Sequence, residues 1–136
     1  MSYISAFLRN LVVRRAGNAC EYCGLSQKGQ EATFHIDHIL PVVSGGETEA
    51  ENLALACVSC SLRKGAKETA IDSETNREVK LFHPRLDDWN ENFEWNGVVL
   101  KGLTAKGRAT VELLKLNRHL ILEIRKEEIF LGRHPK

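Results

Sequence analysis

CVSCS, residues 57–61, sets Cys57 and Cys60 two residues apart and follows them at once with Ser61. Cysteines at that spacing present both sulfurs from one tight turn, which is half of a tetrahedral metal site. The other half lies upstream in CEYC, residues 20–23, and the two pairs account for all four cysteines of the 136-residue chain. Zn²⁺ takes four deprotonated sulfurs at about 2.3 Å. Two such pairs, 33 residues apart, therefore predict a four-thiolate zinc site rather than disulfides in a reducing compartment. A thioredoxin-type redox motif is the rival reading. It needs a single pair beside a βαβ pattern, which the flanking sequence lacks.

Working outward from the pairs, residues 32–40 (ATFHIDHIL) alternate and are rich in β-branched and aromatic side chains, which predicts a strand. On that strand His35 and Asp37 point to one face and His38 to the other. Pro41 and Gly45-Gly46 break it into a loop, and Glu49 to Ala56 read as a helix with Leu53, Leu55 and Ala56 inward. A short helix over about 61–66 leaves the second pair. Before the first pair, residues 2–16 carry a helical stripe of Ile4, Phe7, Leu8, Leu11 and Val12, capped by Ser2 or Ser5 and stopped by Gly17-Asn18.

Beyond the second pair, IDSETNREVKLF reads as a turn and a strand that HPR ends. FEWNGVVLKG reads as a hairpin with Asn96-Gly97 as its two-residue turn. Thr104 is placed to cap a helix running to about Asn117, and residues 119–131 read as a last helix stopped by Gly132. No repeat or low-complexity linker interrupts the chain, so the second half is expected to pack on the first.

The composition, 43% hydrophobic and 27% charged, is that of a soluble globular protein. No apolar run nears the roughly 18 residues of a membrane span. The start, MSYISAFLRNLVVRR, lacks a signal peptide's order of basic end, apolar run and cleavage site. The expected location is the cytoplasm. The net charge is only +1, yet it is unevenly spread: residues 21–60 hold Lys28 against six acids, and residues 61–136 hold fifteen bases against twelve acids. That pattern suits a metal site pressed against phosphates and equally a solvated surface, so it selects no partner.

The order CxxC, HIDHI-x-P, Gly-Gly, Asn-Leu, CxxC and a basic stretch with Lys64-Gly65 resembles the HNH endonucleases of the ββα-metal fold, over roughly residues 18–67. The fourteen residues from His38 to Asn52 match that motif's spacing. The tail, with LFHPR, FEW and GLTAKGRATVELL, is similar to the extension of small stand-alone bacterial members. The resemblance implies an α+β protein: a ββα-metal core with a four-cysteine zinc site and an N-terminal helix over 1–67, then an extension of hairpin plus two helices over 68–136. It also implies a DNA endonuclease that leaves 3′-hydroxyl and 5′-phosphate ends, with structural Zn²⁺ and catalytic Mg²⁺ or Mn²⁺.

A divalent cation on a scissile phosphate polarises the phosphoryl oxygen and neutralises charge on the leaving oxygen, while a base opposite it deprotonates water. By the resemblance Asp37 is the hard oxygen ligand and His38 the base. Asn52 is then the brace that ties the loop after the strand and so orients the His38 ring; an N-cap role for Asn52 reads equally well. Ser61 departs from the family, which has Asn or His there to complete the metal site. A serine hydroxyl is a shorter, neutral, poorer ligand, and weak ligation, a hold on a water and no role all stay open. His35, on the Asp37 face, is a candidate replacement ligand that would shift preference toward Mn²⁺, Ni²⁺ or Zn²⁺. Arg63, Lys64 and Lys67 are candidate phosphate contacts, or simply a solvated helix face. His83 reads as a core or surface histidine, and Trp89 and Trp95 as core aromatics rather than base-stacking platforms. The alternative function is a zinc-knuckle nucleic-acid-binding protein whose cleavage Ser61 has weakened or abolished. Strand choice, sequence preference and oligomeric state are not encoded in any feature of the sequence.

Overall fold

Helix α1 (Ala6–Arg15) begins where the Ser5 hydroxyl accepts from the Leu8 amide at 3.2 Å. Ser2, the other candidate cap, lies outside residues 3–135, which this computed structural model describes. The apolar stripe turns Val12 fully inward but leaves Phe7 72% exposed, so the buried face is narrower than the sequence pattern. The described chain falls into two compact units, divided between Lys67 and Glu68.

In the N-terminal unit, β1 (His35–His38) pairs antiparallel with β2 (Leu53–Ala56), in the register His35 opposite Ala56 and His38 opposite Leu53. Helix α2 (Val58–Lys64) follows directly. The connection between the strands runs through two short 3₁₀ turns, Val42–Ser44 and Ala50–Asn52. The expected helix over Glu49–Ala56 is thus replaced by a turn and a strand. Leu and Ala are strong helix formers, but all four residues of β2 are buried. β1 lies along one edge; on the other, Glu21 donates its N–H to the Leu55 carbonyl at 2.8 Å and accepts the Leu55 N–H on its carboxylate at 2.8 Å. Helix α1 packs on the strand as well. Tertiary pairing overrides local propensity here. Helix α2 also starts earlier than the expected residue 61, because Cys57 itself is its N-cap and accepts from the Cys60 amide.

The C-terminal unit holds two further hairpins: β3 (Thr69–Asp72) with β4 (Arg77–Lys80), and β5 (Phe93–Asn96) with β6 (Val99–Gly102). The first was expected as a turn and one strand only. The second was expected, but its turn is Gly97-Val98, since Asn96 pairs with Val99. Gly97, at φ +64°, sits at the first central position, where a hairpin turn of the II′ kind needs positive φ. One helical turn, α3 (Trp89–Asn92), precedes β5. Helix α4 (Ala105–Leu113) is capped by Thr104, which accepts from the Gly107 amide at 3.0 Å, and α5 (His119–Phe130) ends before Gly132.

Phe82, Trp89 and Phe93 form a mutual ring cluster with centroids 4.5–5.8 Å apart. Trp95 joins it and lies under the Arg125 guanidinium at 4.8 Å. The half-buried Arg108 guanidinium donates to the buried Asp72 carboxylate at 2.9 and 3.0 Å and ties α4 to the first hairpin. The protein is a mixed α+β structure of hairpins and helices, with its four cysteines gathered in the N-terminal unit.

Candidate functional site

Each cysteine pair is a tight turn in which the first sulfur accepts a backbone N–H three residues on. Cys23 donates to Cys20 and Cys60 to Cys57, both at 3.4 Å. The four sulfurs lie within 4.8 Å of one another, all buried, and Cys23 and Cys57 approach to 3.6 Å. Four sulfurs about 2.3 Å from one centre stand about 3.8 Å apart, so the spacing fits a tetrahedral ion. The electrostatics agree. The S–H groups of Cys20, Cys23 and Cys60 hold the Cys57 thiol far below its ordinary value. Burial pushes Cys20 well up, and the neighbouring sulfurs do the same to Cys60. Four thiolates at such distances need a cation among them, and the donor set is that of a structural zinc site.

Between the pairs, β1, the start of the following loop and the end of α2 surround an open pocket of about 390 Å³ lined by His35, Ile36, Asp37, His38, Pro41, Val42, Val43, Ser61, Gly65 and Ala66. His35 is exposed, and its Nδ1 is hydrogen-bonded to the Ser61 hydroxyl at 2.9 Å. The Asp37 carboxylate is 10% exposed and its Oδ2 lies 3.2 Å from Lys64 Nζ. The Tyr22 hydroxyl reaches the same oxygen at 3.5 Å. Burial pushes the Asp37 carboxyl above its ordinary range, and the Lys64 ammonium draws it back in part. Burial and the nearby Asp37 push the Tyr22 phenol well up. His38 bonds through Nε2 to the Thr48 hydroxyl at 2.9 Å.

Asn52 governs the loop that carries Thr48. Its Oδ1 accepts from the Leu40 amide at 2.8 Å, and its Nδ2 donates to the carbonyls of Leu40 at 3.0 Å and Glu47 at 2.9 Å. Its place at the end of a 3₁₀ turn removes the N-cap reading. The loop closes so tightly that a Cβ on Gly46 would collide with the Leu40 carbonyl. Here a residue must be glycine for space rather than for φ.

The basic residues after the site divide. Lys67 is exposed; Arg63 is half-buried and donates to Ser59 at 3.1 Å. Lys64, expected beside them on a phosphate-facing surface, is instead 1% exposed, bonded to the His38 carbonyl at 3.1 Å and paired with Asp37. Its position, one turn after Ser61 on α2, turns it back under β1. Two partners of the site, Thr48 and Tyr22, were not singled out from the sequence. Thr48 sits in the polar run GGETEAEN without a distinguishing neighbour. Tyr22 lies inside the first cysteine pair, where nothing in the sequence marks it as a partner of Asp37, and Lys64 was a candidate for phosphate rather than for Asp37. His83, in the C-terminal unit, accepts the Arg85 and Leu86 amides at 3.1 and 3.2 Å and so organises its own turn.

Comparison with known proteins falls on the same residues. Residues 20–67 match the family described as HNH endonuclease. Two curated relatives are distant. Septu protein PtuB of Bacillus thuringiensis is 22% identical over 82% of this chain and 42% of its own length. Septu protein PtuA of Bacillus mycoides (strain KBAB4) is 26% identical over 87% of this chain and 20% of its own. The chain thus spans less than half the length of either relative. No solved structure matches it. Among the described residues no helix is long and apolar enough to cross a membrane.

Proposed function

We propose, from the premise that residues 20–67 are an HNH endonuclease domain, that this chain is a metal-dependent DNA endonuclease with one structural Zn²⁺ held by Cys20, Cys23, Cys57 and Cys60. The observation that carries the reading is the convergence of His35, Asp37, His38 and Ser61 on one open pocket beside the loop that Asn52 braces. A carboxylate and an imidazole with room for water suit an ion such as Mg²⁺ or Mn²⁺, which keeps part of its hydration. When bound, such an ion supplies charge neutralisation at the phosphate and the leaving oxygen.

The chain's own groups do the rest. Asp37 offers Oδ1, since Oδ2 is engaged by Lys64 and Tyr22. His35 offers Nε2, since Nδ1 is held by Ser61. Ser61 therefore serves through His35, which takes the place the family gives to Asn or His. His38 is the base. In the tautomer whose Nε2–H donates to the Thr48 oxygen, 2.9 Å away, Nδ1 is left to take a proton from water. Asn52 fixes the Glu47 carbonyl next to Thr48, and through it the ring of His38. Arg63 and Lys67 supply positive charge for the phosphate backbone.

Nicking of supercoiled plasmid in Mg²⁺ and in Mn²⁺ tests the reading, with His38→Ala as the paired control. Activity in the natural protein and a loss of at least about 10²-fold in the variant are expected. If both proteins are equally inert while DNA is still bound, the chain is a zinc-knuckle binding protein instead. Ser61→Asn separates the roles within the site: no gain in rate is expected if His35 already fills the position, and a several-fold gain would mean that it does not.

A further inference from the structure

Among the described residues Asp37 is the only carboxylate lining the pocket, and its charge already has a partner. Lys64 Nζ stands 3.2 Å from Oδ2. That lysine is 1% exposed and is also bonded to the His38 carbonyl at 3.1 Å, so it does not swing into water as a surface lysine would. Tyr22, itself 1% exposed, holds the same oxygen from within the first cysteine turn. Both contacts fall on Oδ2, so Oδ1 alone is left for a cation. Before substrate arrives, Asp37 and Lys64 together carry no net charge. A divalent ion entering there is attracted by one carboxylate and repelled by an ammonium bonded to that same carboxylate, inside a partly buried site where neither effect is fully screened.

We infer, resting on Asp37 as the ion's ligand, that Lys64 makes occupancy of the catalytic ion site depend on bound nucleic acid. The substrate phosphodiester supplies the negative charge that Asp37 has already shared with Lys64, so ion and substrate bind as a coupled pair. Linkage then requires the converse: the ion strengthens DNA binding by the factor by which DNA strengthens ion binding.

The test is Mn²⁺ binding, read by electron paramagnetic resonance of the free ion. It uses zinc-loaded full chain carrying His38→Ala, so that a short DNA duplex is not consumed. The same protein with Asp37→Asn added corrects for Mn²⁺ held by the duplex alone. The duplex is expected to tighten Mn²⁺ binding by about 5–150-fold, the usual span of coupling between two ligands, with an equal factor for the duplex when Mn²⁺ is added. Adding Lys64→Met should raise Mn²⁺ affinity without DNA and shrink the dependence on DNA. Equal Mn²⁺ affinity with and without duplex overturns the inference and leaves the nuclease reading standing, provided Asp37→Asn abolishes the binding. A Lys64→Met protein that keeps one zinc per chain yet binds Mn²⁺ more weakly also overturns it, since Lys64 would then only position Asp37. If Lys64→Met does not fold, the comparison with and without duplex decides alone. If Asp37→Asn changes nothing in either state, Asp37 is not the ligand and the nuclease reading falls with the inference.

Discussion

In the N-terminal unit Asn52 grips the backbone of Leu40 at both its N–H and its carbonyl, at 2.8 and 3.0 Å. In the C-terminal unit Asn117 grips Leu100 in the same way, at 2.8 Å for each bond. The second bracket serves packing: Leu100 is 1% exposed, in the unit that also holds the ring cluster of Phe82, Trp89 and Phe93. Each asparagine makes a third bond, Asn52 to the Glu47 carbonyl at 2.9 Å and Asn117 from the Arg125 guanidinium at 3.3 Å. Only in the first does the residue next to the bracketed stretch, Thr48, bond His38. An asparagine bracket is thus a structural device in its own right, and it bears on chemistry only through what the bracketed loop carries. The two units also hold together by different means. All four cysteines lie in the first and both tryptophans in the second.

Removing the metal should break this contrast most widely. A structural zinc contributes about 10–16 kcal/mol at neutral pH, so a strong chelator should abolish amide-exchange protection in β1 and β2. The strands β5 and β6 are the internal reference and should keep theirs. If all four strands lose protection together, the units are not held separately. Next in size is Phe93→Ala, which removes a ring 2% exposed and should cost about 3–5 kcal/mol. The loss should show in tryptophan emission during urea unfolding, with zinc content still at one ion per chain.

The paired variants Asn52→Ala and Asn117→Ala sharpen the comparison directly. Each strands backbone groups and should cost about 1–3 kcal/mol. Only Asn52→Ala should also slow plasmid nicking in the folded protein, by about 10–100-fold, as for other residues that orient a functional side chain. A similar slowing by Asn117→Ala would erase the distinction.

The smallest effect concerns acid. The Arg108 guanidinium holds the buried Asp72 carboxyl well below its usual range. A carboxylate lowered in this way contributes stability at pH values above its unfolded pKa of about 3.9. That contribution is lost as the pH falls through the lower folded value. Tryptophan emission should therefore report a C-terminal unit that weakens below about pH 4. Asp72→Asn should flatten that pH dependence, and an unchanged slope would assign it to other carboxylates.

The features legible in the sequence are those set by chemistry with few alternatives: four cysteines in two pairs, the serine and threonine caps at Ser5 and Thr104, and the strand at HIDH. What stayed hidden depended on contacts made far along the chain. Leu53–Ala56 has helix-forming composition and becomes a strand because β1, Glu21 and α1 surround it. Lys64 looked like a surface cation because its spacing from Arg63 and Lys67 says nothing of the turn of α2 that sends it inward. Thr48 could not be distinguished from its polar neighbours, since its partner His38 lies ten residues back. The turn at Gly97-Val98 was displaced by one residue because either assignment keeps Gly97 in the bend.

The cysteine turns have a further consequence in polymer terms. His35, Asp37, His38, Thr48 and Asn52 all lie within the 33 residues between Cys23 and Cys57, so most of the candidate site sits on a loop closed at its neck by the sulfur cluster, with Ser61 and Lys64 just beyond that neck. Loop-closure entropy grows only with the logarithm of length, at about 0.6 kcal/mol for each doubling. By that measure alone, added residues would enlarge the loop at little entropic cost. The constraint on length lies instead at the neck and at Asn52, where a single added residue would pull a hydrogen-bonded partner out of reach.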